Sequence, residues 1–136
     1  MDRCPCCNAR LKEVEICPRC KADLSAVINT GQSAQFWLSK AIYYCLTGET
    51  EQSISAISLS LSLEKTRMAE VIRDFLIQQL CRNVLDLMAN KQLLEAKQQL
   101  YCARELLPHS KQLRKLDGFT DYLLLRNQHQ SVINTD

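Results

Sequence analysis

Residues 66–89 read TRMAEVIRDFLIQQLCRNVLDLMA. Apolar residues recur in this stretch at every third or fourth position, which is the spacing of one face of an α-helix and not the alternation of a strand. We therefore expect the longest helix of the protein here. Its apolar stripe consists of Met68, Val71, Ile72, Phe75, Leu76, Leu80, Val84, Leu87 and Met88.

The residues before Gly48 show the same helical pattern. Glycine suits the left-handed conformation that commonly ends a helix, so Gly48 predicts a C-terminal cap. Residues 25–33 are small and polar and include Gly31, and we expect them to form a linker. The apolar positions of the helix between linker and cap are Ala34, Trp37, Leu38, Ala41, Ile42, Cys45 and Leu46.

A further helix is predicted from Glu51 to about Leu63, with Thr50 as its N-cap. Residues 58–63 alternate strictly between serine and leucine, which also suits a strand. The helix is favoured because a lone strand among helices would have no partner, and because three apolar residues share one helical face. These three are Ile54, Ile57 and Leu61.

Two more helices follow a short break at residues 90–91. We expect Pro108 to end the first of them, and the second to span about residues 110–127. Residues 128–136 are polar and are predicted to be a flexible tail. Short connections favour antiparallel neighbours, so residues 34–127 are predicted to form about five helices in hairpins, and the fold class is mainly α. The apolar positions are Leu93, Ala96, Leu100, Ala103 and Leu107, then Leu113, Leu116, Phe119, Leu123 and Leu124.

Cysteines are concentrated at the amino terminus, where five of the eight lie within the first twenty residues. They form two Cys-x-x-Cys pairs, Cys4 with Cys7 and Cys17 with Cys20. Two such pairs supply the four thiolates of a tetrahedral site, the usual ligand set of structural Zn²⁺. About two dozen residues cannot bury a core of their own, so the metal must supply the stability of this segment.

Iron held by four thiolates stays an alternative to zinc. All four sulfurs on the metal would leave no open position for catalysis. Cys6 lies inside the first pair, and we interpret it as a free thiol beside the site. It is also a candidate to replace Cys4 or Cys7 as a ligand, or to serve as a redox or metal-transfer group.

Residues 4–11 and 17–24 resemble the short zinc-ribbon family, whose members repeat a Cys-Pro-x-Cys-Gly-Ala-x-Leu phrase twice. Asn8 and Lys21 stand where that family commonly has glycine. The resemblance implies a zinc ribbon over residues 1–24 that holds one structural Zn²⁺. Beyond the cysteines, the matching positions are Ala9, Leu11, Ala22 and Leu24.

The helical hairpins resemble the tetratricopeptide repeat. The first hairpin matches at Trp37, Ala41, Tyr44, Gly48, Ile57 and Leu61, and the second at Leu80, Leu87, Ala96, Leu100, Ala103 and Pro108. The resemblance implies an open array in which the first helix of each hairpin lines a concave surface.

Such a surface would be apolar, and exposed apolar area commonly marks a binding site. We expect a protein partner to lay an apolar or amphipathic helical segment into this groove. In the alternative, the helices form a closed bundle and the same residues are its core. The predicted groove residues are Leu38, Ile42, Leu46, Cys81, Leu85, Met88, Phe119 and Tyr122.

The charge of the chain is close to balanced, with 17 Lys and Arg against 15 Asp and Glu, a net of +2. This balance does not predict a surface that coats nucleic acid. No apolar run is long enough to span a membrane, and the first residues lack the apolar core of a signal peptide. We expect a cytoplasmic protein whose thiols stay reduced.

Few residues suit catalysis. The two histidines, His109 and His129, fall at a helix junction and in the polar tail, and there is no phosphate-binding loop or nucleophile motif. We therefore expect a non-enzymatic adaptor or an accessory subunit of a larger complex. The alternatives are a zinc-ribbon protein associated with nucleic acid and a thiol- or metal-handling protein that uses Cys6.

Overall fold

The computed structural model describes residues 1–133. In this range, residues 1–24, here called the cysteine segment, form turns and two isolated antiparallel β-bridges. Residues 25–133 form helices joined by short connections. The prediction of a mainly α fold is confirmed. None of the helices in residues 1–133 combines the length and the apolar character needed to cross a membrane. The helices are α1 (Ser25–Thr47), α2 (Thr50–Leu63), α3 (Arg67–Ala89), α4 (Leu93–Cys102) and α5 (Lys111–Ile133), with a 3-10 helix at Arg104–His109.

The helix predicted from the long apolar stripe is α3. Its N-cap residue Thr66 accepts a 3.2 Å hydrogen bond from the backbone N–H of Ala69, which satisfies a donor that the first turn leaves free. Helix α2 continues through residues 58–63, so the strand alternative is wrong. A helical period buries Ser53, Ile57 and Ser60 on one face, which an alternation of two would not do.

The cap predicted at the end of α1 is confirmed. Gly48 has φ 80°, a left-handed conformation that glycine adopts without the penalty of a Cβ, and its N–H donates to the carbonyl of Cys45. The predicted N-cap of α2 is wrong by one residue. Glu49 holds that position and Thr50 is the first helical residue.

Residues 25–33 are helical, so the predicted linker is wrong and these residues belong to α1. Leu24 and Ile28 pack with the buried cysteines of the cysteine segment. A Cβ added at Gly31 would lie 3.3 Å from the Glu64 carboxylate. The end of α2 therefore lies close to this part of α1. Tertiary contacts at both ends of this stretch therefore outweigh the weak helix propensity of small polar residues.

The boundaries of the last two helices also differ from the prediction. Helix α4 ends at Cys102, and Pro108 lies inside the 3-10 helix that follows it. This 3-10 helix buries Leu106 in the core, which explains why the chain turns before the proline. Helix α5 continues through residues 128–133 of the predicted tail, whereas residues 134–136 of that tail lie outside the described residues.

Two serines of α2 determine how it packs on α1. The hydroxyl of Ser53 donates a 2.8 Å hydrogen bond to the carbonyl of Ala41, and that of Ser60 donates one of 2.8 Å to the carbonyl of Ala34. The later serine bonds to the earlier alanine and the earlier serine to the later alanine, so the two helices are antiparallel. All four side chains are buried and small, which allows the two backbones to approach closely.

The remaining helices pack in chain order, α2 on α3, α3 on α4 and α4 on α5. Helix α3 also contacts α5, and the 3-10 helix contacts both α2 and α5. One hydrophobic core therefore connects all of these elements. Its largest fully buried side chains are Ile57, Leu76, Val84, Leu100, Leu106 and Leu113.

An ion-pair cluster connects α4 to α5. The Nζ of Lys97 lies 2.6 Å from Asp117 Oδ1 and 2.9 Å from Asp121 Oδ1. Burial lowers the pKa of Lys97, but the hydrogen bonds and charges of the two carboxylates outweigh burial and leave it above its ordinary value. The cluster therefore favours the charged lysine in the folded state.

Candidate metal centre and exposed apolar surface

The four cysteines predicted as metal ligands lie together in the cysteine segment. The Sγ atoms of Cys4, Cys7, Cys17 and Cys20 all lie within 4.8 Å of one another. The closest approaches are 3.6 Å between Cys4 and Cys20 and 3.6 Å between Cys7 and Cys17. Each short contact joins one Cys-x-x-Cys pair to the other, so both pairs face a common centre.

Two turns with the same hydrogen bonds position these sulfurs. In the first turn, the N–H of Cys4 donates to the carbonyl of Ala9, and the N–H of Asn8 donates to that of Cys4. The second turn repeats both bonds thirteen residues later, from Cys17 to Ala22 and from Lys21 to Cys17. The β-bridges repeat as well, Arg3 with Arg10 and Ile16 with Asp23. The segment is therefore an internal duplication in structure as well as in sequence.

Both turns require a left-handed residue after the second cysteine. Asn8 has φ 57° and Lys21 has φ 60°. Asparagine tolerates this conformation because its short amide side chain can form local hydrogen bonds, whereas lysine pays the full steric cost of its Cβ. The second turn is therefore the more strained of the two.

A small apolar cluster anchors the segment to the first helix. Cys4, Cys17 and Leu24 are buried, and α1 begins at the residue after Leu24. Ile28 on the first turn of α1 packs on the same cluster. The partly buried residues that complete the cluster are Cys7, Ala9, Leu11 and Ala22.

Backbone N–H groups favour thiolates at the buried cysteines. The N–H groups of Cys20 and Arg19 outweigh the effect of burial at Cys17 and lower the pKa of its thiol to about 6. At Cys4 burial raises the pKa, but the N–H groups of Cys7 and Cys6 outweigh it and the pKa is lowered. The donors are equivalent in the two turns, so each turn stabilises a negative sulfur on its first cysteine.

This donor set fits a metal ion. With a metal–sulfur distance of about 2.3 Å, the edge of a tetrahedral four-thiolate site is about 3.8 Å, close to the shortest sulfur–sulfur contacts here. A disulfide requires about 2.05 Å, and all eight cysteines are free thiols. The four cysteines therefore lie close enough to hold a metal ion without any disulfide.

The other four cysteines lie outside this group. Cys6 is exposed beside the first turn, Cys81 is buried, and Cys45 and Cys102 are half-buried. Cys102 lines a cleft of about 370 Å³ between α2, α3 and α4, and a hydrogen bond with Glu51 raises the pKa of its thiol. The geometry therefore favours the neutral thiol at Cys102 rather than a nucleophilic thiolate.

The predicted groove residues differ in exposure. Cys81 is 5% exposed and belongs to the core, so its prediction as a groove residue is wrong. Helix α3 turns that side chain inward beside Leu80 and Val84, where a small apolar side chain fits. Leu38, Ile42 and Met88 are half-buried. The exposed members are Leu46 (83%), Leu85 (46%), Phe119 (51%) and Tyr122 (58%).

The sequence places three exposed residues of α3 in its apolar stripe but does not show that they face solvent. Met68, Val71 and Phe75 share the face of α3 opposite to the buried Leu76 and Leu80, and each is more than half exposed. Their spacing of three and then four residues was the signal available in the sequence. Apolar residues lie on nearly every side of α3, so the periodicity alone does not identify which side of the helix faces the core.

The remaining candidates for chemistry lie on the surface. His109 and His129 are both exposed, and neither belongs to the group of four cysteines that could hold a metal ion. Among the described residues, every buried side-chain nitrogen or oxygen has a hydrogen-bond partner. Within residues 1–133 the buried polar groups are therefore paired inside the protein, as Ser53 and Ser60 are with the backbone of α1.

No protein-family model, no curated protein and no solved structure matches this chain.

Proposed function

We propose that the cysteine segment is a structural zinc ribbon. The observation that supports it is the duplicated turn, which sets two buried and two more accessible thiols around one centre at tetrahedral spacing. Four protein sulfurs would complete the coordination shell, so the metal would support folding and not catalysis. Zinc is preferred to iron because it is the usual ion of closed four-cysteine sites in small folding units.

Metal analysis of the purified chain tests this proposal. Elemental analysis is expected to give one zinc per chain, lost in Cys17→Ser and retained in Cys6→Ser, because Cys6 lies outside the ligand group. One iron per chain with a thiolate-to-iron absorption band would instead identify a rubredoxin-like site. Zinc lost in Cys6→Ser would favour the alternative in which Cys6 handles the metal.

We propose that the helices form hairpins of the tetratricopeptide type and that the protein is a non-enzymatic adaptor or accessory subunit in the cytoplasm. The close antiparallel contact of α1 with α2, made through small residues, supports the first point. The exposed apolar side chains on α1, α3 and α5 support the second, because a closed bundle would bury them. Leu46, Leu85, Phe119 and Tyr122 would contact a helical segment of the partner.

Affinity purification from the native cell with two matched variants tests the adaptor function. Leu85→Asp on α3 is expected to lose a partner that the parent chain retains at high salt. Leu94→Asp places the same substitution at an exposed leucine on α4 and is expected to retain it. Circular dichroism of both purified variants is the check that each one folds.

Nuclease treatment of the same samples distinguishes the adaptor function from the alternative function of association with nucleic acid. The segment of residues 1–24 carries a net formal charge of about −1 once four thiolates hold Zn²⁺, and it has no aromatic side chain to stack on a base. Recovery that depends on RNA or DNA and falls with salt would support the nucleic-acid alternative. Retention of one protein in all parent samples after nuclease would support the adaptor.

A further inference from the structure

Helix α5 has an apolar face that no described element covers. Phe119, Tyr122 and Leu125 are each more than half exposed and lie on the side of α5 opposite to the buried Leu113 and Thr120. The two rings stack at 6.3 Å between centroids with an interplanar angle of 16°. These three residues, with the exposed Lys111, Lys115, Gly118 and Arg126, are here called the outer face of α5.

Gly118 leaves a notch in this face. An added Cβ at Gly118 would meet no atom within 4 Å, although the residue lies inside a helix, where glycine is unfavourable. Nothing within the described chain therefore requires a glycine at this position. A notch beside two aromatic rings is the shape into which a ridge of side chains from another helix packs.

The charge on the outer face has one sign. Lys115 lies before the aromatic pair and Arg126 after it, eleven residues apart, or about 16 Å along the helix axis. The two carboxylates of α5, Asp117 and Asp121, lie on the side of the helix that faces α4, and both pair with Lys97. The apolar centre is therefore flanked at both ends by cations that have no acidic neighbour on their own face.

We propose that the outer face of α5 docks an amphipathic helix of a protein partner whose apolar stripe is flanked by acidic side chains. This proposal rests on the proposed adaptor function and names its partner chemistry. The apolar centre buries the stripe, and Lys115 and Arg126 pair with carboxylates about three turns apart on the partner helix. Charges at the rim of an interface contribute mainly to the selection of partner and orientation.

The same charges disfavour a second copy of this chain as the occupant. An antiparallel pair of α5 helices that stacked Phe119 of one copy on Tyr122 of the other would place Lys115 opposite Arg126 at both ends. Like charges across an interface are unfavourable. An anionic membrane is also disfavoured, because polybasic membrane sites usually carry about four to eight cations and this face has three.

Two synthetic peptides of equal length test the proposal with the full, metal-loaded chain. Both carry leucines at heptad spacing, and the flanking positions are glutamate in one and lysine in the other. Fluorescence anisotropy at low salt is expected to show about tenfold tighter binding of the glutamate peptide. This preference is expected to shrink at about 1 M salt, where the electrostatic screening length falls to about 3 Å. The double variant Lys115→Glu with Arg126→Glu is expected to reverse the preference.

Leu125→Ser provides the apolar variant and Leu94→Ser, at an exposed leucine on α4, its matched control. Only Leu125→Ser is expected to weaken binding of the glutamate peptide. Equal binding of both peptides, or no effect of Leu125→Ser, overturns the proposal. So does binding to phosphatidylserine vesicles in place of the peptide, or a dimer in sedimentation that Leu125→Ser dissociates.

Affinity purification of the native partner distinguishes failure of this proposal from failure of the adaptor function. A partner that is lost in Leu85→Asp but retained in Leu125→Ser leaves the adaptor in place and overturns the role of the outer face of α5. Absence of any partner in the parent chain, together with failure of both peptides, overturns the adaptor function itself.

Discussion

The hydroxyl of Ser60 in α2 donates a 2.8 Å hydrogen bond to the backbone carbonyl of Ala34 in α1. Both residues are almost completely buried, and Ser53 makes the equivalent bond to Ala41 two turns away. A buried serine hydroxyl needs a hydrogen-bond partner. The serine side chain is also small enough for the backbone of α1 to approach and supply that partner. Ser53 and Ser60 are therefore contact points between α2 and α1, whereas Ser62 of the alternating stretch faces solvent.

Removal of this hydroxyl tests its contribution. Ser60→Ala is expected to lower the free energy of unfolding by about 1 kcal/mol, since one buried hydrogen bond is lost and little space is opened. Ser60→Leu is expected to lower it by about 1–3 kcal/mol or more, because a large side chain forces α1 and α2 apart. Urea unfolding followed by circular dichroism measures both. Ser62→Ala is the control, because its exposed hydroxyl donates only within α2, and an equal loss there would contradict the explanation.

Replacement of Lys21 by glycine is expected to stabilise the cysteine segment. Its φ of 60° is costly for a lysine, so Lys21→Gly should stabilise the metal-bound cysteine segment by about 0.5–1 kcal/mol. The readout is slower or weaker removal of the metal by a chelator. Lys12→Gly is the matched control, because Lys12 is exposed and is not among the residues with positive φ. A gain of the same size at Lys12 would show that the left-handed turn is not the cause.

Loss of a ligand should unfold one part of the chain and spare the other. Cys17 is fully buried at the centre of the cysteine segment, so Cys17→Ser is expected to lose the metal and the order of residues 1–24. The core of α2 to α5 does not include that segment, so most of the helical circular dichroism should remain. Protease cleavage within residues 1–24, in Cys17→Ser but not in Cys6→Ser, is the measurement. Global loss of helix would show that the two parts fold as one unit.

The Lys97 cluster is expected to contribute modestly to stability. Lys97→Met should cost about 1 kcal/mol, because the lysine and its two carboxylates are only partly buried and are screened by water. A double-mutant cycle with Asp117→Asn isolates the pairwise energy. A coupling energy near zero would show that the pair is only a surface contact.

The sign of the pH dependence follows from the raised pKa of Lys97. The contribution is fully present below the ordinary lysine pKa of about 10.4 and is lost as the pH rises through the higher folded-state value. The difference in stability between the parent chain and Lys97→Met should therefore be constant at neutral pH and shrink only in strong alkali. A difference that shrinks between pH 7 and 9 would contradict the assignment.

The local patterns of the sequence determined much of this structure. The spacing of the Cys-x-x-Cys pairs was enough to identify the four grouped sulfurs, because a tight turn fixes where two thiols three residues apart can point. The 3.6-residue period was enough to place α3, and Gly48 was enough to end α1, because each depends on the backbone of its own neighbours.

Only the tertiary structure decided the rest. Residues 25–33 are helical because Leu24 and Ile28 meet the cysteine cluster, a contact between elements that no local pattern contains. Cys81 is buried and Phe75 is exposed although both lie in one nearly continuous apolar stripe, because the packing of α2, α4 and α5 selects which side of α3 becomes the core. Hydrophobic residues show that a helix has a face to bury, whereas the direction of that face is set by its neighbours.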